Sequence, residues 1–192
     1  MSTLGERSDK LPPWPALGQL LTGMILGVAL AVGGFALAGK LKPPGDHEAL
    51  VALAQLADAT DKQVDLRLGR GDVAGAIAAL EQLRSETWPG RDRGGDAAVQ
   101  LRHDAYGRLL RLRLDHPQVD PKTPQQLLEI AQEGLGREWE LLDPNPFTAH
   151  LLALRGEILA QLGRDDEALL VYERALDMNR DLLDEVLRGG GR

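Results

Sequence analysis

The segment GEILAQLGRDDEALLVYERAL, residues 156–176, is built almost wholly from good helix formers, yet it holds Gly156 inside one helical run and Gly163 between that run and the next. An interior helical glycine costs about 1 kcal/mol relative to alanine, so a close contact has to offset it. Gly163 answers a different need. It stands between a helix ending at Leu162 and one capped by Asp165, where a residue without Cβ enters the left-handed conformation freely. The segment is therefore expected to form a tight helical hairpin whose arms approach closely at Gly156.

The same grammar recurs upstream. After the breaker Pro43-Pro44-Gly45, Asp46 is expected to cap a helix running to about Leu68, with Leu50, Leu53, Ala57 and Val64 along one side. GRGD at 69–72 ends it, and a second helix over 73–86 carries Val73, Ile77, Leu80 and Leu83. WPGRDRGGD, 88–96, reads as a loop. A third helix over 97–114, a Pro-bearing connection at 115–123 and a fourth helix over 124–142 make a second pair, closed by DPNP. Residues 147–162 and 165–178 make the third pair, followed by a short amphipathic piece at 181–188 and a GGGR tail. Leu, Ala and Val dominate the apolar set and aromatic residues are few, which suits helix-on-helix layers better than a β-sandwich. The expected fold class is all-α.

Leu152, Gly156, Leu159, Gly163, Ala168, Tyr172 and Ala175 stand at the spacing of large, small and large residues, turn glycine, alanine, aromatic and alanine. In this the last pair resembles the tetratricopeptide repeat, departing from it at Arg180, where the family carries Pro. Gly71, Ala76, Leu80 and Leu83 form a weaker copy, Asp143-Pro144 matches a repeat terminus, and Gly107 is read as the small residue of the middle copy. The resemblance covers most of 46–180 and is specific over 147–180. It implies a short α-solenoid of about three helix pairs, with Gly156 against Ala168, and a concave groove lined by the first helix of each pair that binds a protein or peptide. Helical spacing then nominates Asp61 and Asp65 on the first helix, Asp104, Arg108 and Arg111 (with Asp115) on the third, and His150 and Glu157 on the fifth. Asp104 and Arg108 read equally well as an i, i+4 pair on a solvated helix.

Residues 16–39 carry no charge for 24 positions, about 36 Å of helix and enough to cross a bilayer. Lys10 precedes the run, Lys40 and Lys42 follow it, and Trp14 sits at an interfacial position. The expectation is a single transmembrane helix contacting the lipid bilayer, with 1–15 as a tail, 40–45 as a linker and 181–192 as a capping segment and tail. Ala36-x-Ala38 leaves a cleaved signal peptide as the alternative. Gly23, Gly27 and Ala31 fall at i, i+4 and i+8, a small-residue stripe that permits a homodimer through this helix. By likeness to membrane-anchored repeat proteins, the expected location is a bacterial inner membrane, single-pass, with the repeats on the periplasmic side.

Nothing in the chain spells out catalysis. There is no Cys, the histidines at 47, 103, 116 and 150 form no ligand pair, and GRGD and RGGD lack the Lys-Ser/Thr of a phosphate loop. Asp165, Asp166 and Glu167 occupy a helix first turn, where the macrodipole favours them. Trp139 reads as a core residue. A net charge of -7 with no basic domain argues against nucleic acid. The expected function is a non-enzymatic, cofactor-free scaffold or assembly factor for a protein partner, held at a membrane. The alternative is a structural accessory subunit of a larger membrane complex.

Overall fold

At two points the helix ends where glycine permits a left-handed turn, and the turn is built alike in both. At Gly71 (φ 75°) the Gly71 amide donates to the Leu68 carbonyl and the Asp72 amide to Arg67; at Gly163 (φ 70°) the corresponding donations run from Gly163 to Ala160 and from Arg164 to Leu159. This paired bonding satisfies carbonyls that the helix leaves orphaned and reverses the chain within a few residues.

The computed structural model describes residues 44–137 and 139–189. By its contacts the chain divides into two units, Met1–Leu41 and Lys42–Arg192, and the described residues lie in the second. They form six α-helices: α1 Pro44–Gly69, α2 Val73–Arg84, α3 Arg91–Asp115, α4 Pro124–Leu135, α5 Pro146–Gln161 and α6 Asp165–Gly189, with a 3-10 turn at Trp139–Leu141. Among the described residues there is no strand, so the all-α expectation holds for them.

The helices pack as three consecutive pairs, α1 with α2, α3 with α4 and α5 with α6. Each later first helix lies against both helices of the pair before it: α3 touches α1 and α2, and α5 touches α3 and α4. One continuous core results, from Val64 and Leu80 through Leu109, Leu110 and Leu128 to Leu152, Ile158 and Met178.

Several boundaries differ from those read in the sequence. The expected loop 88–96 is shorter, because Arg93 and Gly94 amides bond back to the Gly90 carbonyl and start a helical turn, interrupted only at Gly95 (φ 68°). The fourth helix stops at Leu135 rather than 142, since Gly136 turns left-handed (φ 66°), and Trp139 is therefore half-buried in a 3-10 turn. The pieces 165–178 and 181–188 are one helix, with no Pro at Arg180 to break it. Its cap is Arg164, whose carbonyl accepts from Ala168, and Asp165 sits inside the first turn.

The expected transmembrane helix is corrected. Among the described residues no helix is long and apolar enough to cross a membrane. The physical reason is charge: the three longest helices, α1, α3 and α6, each carry seven or more Asp, Glu, Lys or Arg residues. Residues 16–39, with the Gly23, Gly27 and Ala31 stripe, lie outside the described residues.

Candidate functional site

Because each first helix packs on the previous one, α1, α3 and α5 share a face, and the polar sides of all three converge on it. Arg108 of α3 reaches across to α1, its Nη1 2.6 Å from Asp61 Oδ1 and its Nη2 2.7 Å from Asp65 Oδ1. One turn on, Arg111 forks onto Asp115 (Nε to Oδ2, 2.8 Å, with Nη2 on Oδ1) and reaches α5 through Nη1, 3.3 Å from Glu157 Oε2. His150 of α5 lies over Gly107, where a Cβ would stand 3.1 Å from its Cδ2. Asp104 lies among these groups, within electrostatic reach of Arg108 and His150.

All of Asp61, Asp65, Asp104, Arg108, Arg111, His150 and Glu157 therefore meet on one face, knitted by ion pairs between successive first helices. Gly107 turns out to serve the next pair, opposite His150, and not its own partner helix. The small residue of the middle pair is Gly134, which faces the ring of Tyr106. Gly156 likewise faces Tyr172 and not Ala168.

The electrostatics of the face are acidic. Asp61, Asp65, Asp104, Asp115 and Glu157 outnumber Arg108 and Arg111, and partial desolvation of the ring by its packed neighbours lowers the otherwise exposed His150 imidazole below its ordinary range, leaving it uncharged near neutral pH. Burial raises the Asp61 carboxyl to about 6 against the pull of Arg108. It raises Asp104 as well. Asp115 is held low by its hydrogen bond from Arg111. Two hard-to-ionise carboxylates beside exposed ones make a surface that gains from an approaching cation.

Sequence reasoning missed a second set of polar junctions. His103 is fully buried: its Nε2 lies 3.2 Å from the Leu135 carbonyl and its Nδ1 2.7 Å from Thr148 Oγ1. The carbonyl only accepts, so Nε2 carries the proton and Nδ1 accepts from the hydroxyl. Arg102 Nε donates to the Gly134 carbonyl, so neighbouring side chains of α3 cap the C-terminus of α4. Tyr106 Oη donates to Glu133 Oε1 at 2.6 Å, and Arg84 of α2 closes on the other oxygen of that carboxylate. Arg113, 3% exposed, ties Asp120 of the long connection (Nε to Oδ2, 2.9 Å) and lies 2.5 Å from Glu81 of α2. The partners of these residues stand 27 to 49 positions away, except for Asp120, and no helical period reveals them.

Among the described residues, no group of three or more His, Asp or Glu side chains is placed to hold a metal ion. A cavity of about 150 Å³ between α1 and α2, lined by Leu56, Thr60, Gln63 and Leu83 among others, is smaller than a cofactor needs. No family model, no curated protein and no solved structure matches this chain. The tetratricopeptide resemblance accordingly rests on the residues themselves.

Proposed function

We propose that residues 46–180 act as a short α-solenoid of tetratricopeptide type, and that the face shared by α1, α3 and α5 holds a cationic segment of a protein partner. The observation that carries this reading is the meeting of seven nominated polar residues from three separate helices on one acidic face. Its role is binding and placement of a partner, with no chemistry on it. Preorganisation supports the same reading, since the ion pairs between helices fix the carboxylates before any ligand arrives.

A photocrosslinker placed at His150, which is exposed, tests the proposal in the full chain. Partner capture should exceed that from the same label at Arg164, which is exposed at the turn between α5 and α6. Capture should be lost in Asp65→Lys with Glu157→Lys. Equal capture from both label positions, or capture indifferent to the two reversals, would remove the face as the binding site.

A further inference from the structure

The three second helices start alike, with the amide four residues on donating to the cap carbonyl: Ala76 to Asp72, Leu127 to Thr123 and Ala168 to Arg164. This common start aligns them residue by residue. Ile77 of α2 corresponds to Leu128 of α4 and Leu169 of α6; the first two are 4% and 1% exposed, the third 58%. Leu80 and Ala131 are buried, whereas their counterpart Tyr172 is 38% exposed. Further along, Leu135 is buried and its counterpart Leu176 exposed. Where α2 and α4 have the next first helix against them, α6 has none among the described residues. The apolar stripe continues past the end of the hairpin through Leu183 and Leu187, both exposed. From Leu169 to Leu187 it runs about 27 Å at 1.5 Å per residue.

The missing cover has a definite chemistry. Both existing covers are helices with an apolar side, so the stripe is shaped for a helix laid in the same way. Charge selects which helix. Eight carboxylates stand on α6 against three arginines, with Asp166, Glu173, Asp177 and Asp184 along one border of the stripe. A second copy of α6 would set two such acidic helices side by side, which like-charge repulsion opposes. The helix already seated on α2 has the opposite balance, six arginines to four aspartates in α3.

We infer that α6 is the docking site for a basic amphipathic helix of a partner protein, seated where the first helix of a fourth pair would lie. This surface is separate from the acidic face of α1, α3 and α5, and the inference does not depend on that face binding anything.

The probe is a labelled 20-residue Leu/Lys peptide with leucines at helical i, i+3, i+4, i+7 spacing, titrated into the full chain by fluorescence anisotropy. A Leu/Glu peptide of the same spacing and a Lys/Ser peptide are run alongside. The titration is run in the Asp65→Lys, Glu157→Lys background, which removes the cation-attracting charge of the α1, α3 and α5 face. Saturable binding of the Leu/Lys peptide alone is expected there, weakened at least tenfold when Leu176→Gln and Leu183→Gln are added. Both leucines are exposed, so the folded state should tolerate the exchange, checked by circular dichroism. Undiminished binding by the leucine variant, equal binding of the Leu/Glu or Lys/Ser peptide, or no binding at all would overturn the inference. So would a dimer in sedimentation that the leucine variant dissociates, because the occupant would then be a second copy.

Discussion

A Cβ built on Gly156 would stand 2.8 Å from Cε1 of Tyr172, so the arms of the last pair touch as backbone against ring. The middle pair uses the same contact with the roles exchanged: Gly134 lies on the second helix and the ring of Tyr106 on the first, 2.6 Å from such a Cβ. The two rings differ in freedom. Tyr106 is buried and its hydroxyl is bound to Glu133, while Tyr172 is partly exposed and can swing outward.

Gly134→Ala should therefore destabilise the protein by about 1–3 kcal/mol through overpacking, despite a helix-propensity gain near 1 kcal/mol. Gly156→Ala should be close to neutral, because the Tyr172 ring yields. Gly156→Leu should cost about 1–3 kcal/mol, since its larger side chain has to displace the ring entirely. Urea unfolding of the three variants checks this ordering, and equal losses for the two alanine variants would contradict it.

The turn glycines give a separate expectation. Gly71 and Gly163 meet nothing within 4 Å, yet both have positive φ. Alanine at either should cost about 1–2 kcal/mol from backbone strain alone. Gly69 has equally open surroundings and no positive φ, so Gly69→Ala should be neutral or mildly stabilising, as thermal unfolding would register.

The difference between those glycines also marks what the sequence made legible. Gly163 sits between two strongly periodic runs, so its turn was readable, and with it the hairpin. Gly95 and Gly136 have no such flanks, and the helix boundaries near them were misplaced. Grouping Asp61, Asp104, Arg108 and Glu157 needed only helical spacing plus the idea that first helices line up. Whether Gly156 meets Ala168 or Tyr172 depends on how two helices rotate about their axes, which spacing along one helix leaves undetermined. His103 was hidden for the same reason, its partners being supplied by the end of α4 and the start of α5.

Burial lowers His103 to about 4 from the ordinary 6.5, with Arg102 acting in the same direction and the Leu135 carbonyl opposing. The folded chain keeps this imidazole neutral while the unfolded chain protonates it. Stability from this group is complete above pH 6.5 and is lost as pH falls toward 4, by about 3 kcal/mol in full. His103→Asn removes the titrating ring while keeping an acceptor at the Nδ1 position for Thr148, so at some cost in overall stability it should flatten the pH dependence of unfolding free energy between pH 6.5 and 4. An unchanged slope would mean the imidazole protonates in the folded state.

Among the described residues, Arg108 is the cation that joins Asp61 and Asp65 of α1 to α3, with Asp104 beside it. Arg108→Gln should cost about 1–2 kcal/mol at pH 7.5, the worth of two partly exposed pairs. Its pH dependence is the sharper test. Asp61 titrates at about 6 when folded and 3.8 when unfolded, so folding takes up a proton in that interval and this carboxyl's contribution grows as pH falls through 6. Without Arg108 the folded value rises further, and protonation relieves the repulsion among the three carboxylates. The stability gap between Arg108→Gln and wild type should accordingly narrow between pH 7.5 and 5, and Asp61→Asn added to Arg108→Gln should recover part of the loss at pH 7.5. A gap that is constant with pH would show that the guanidinium acts by packing its stem on α1 and not by its charge on Asp61.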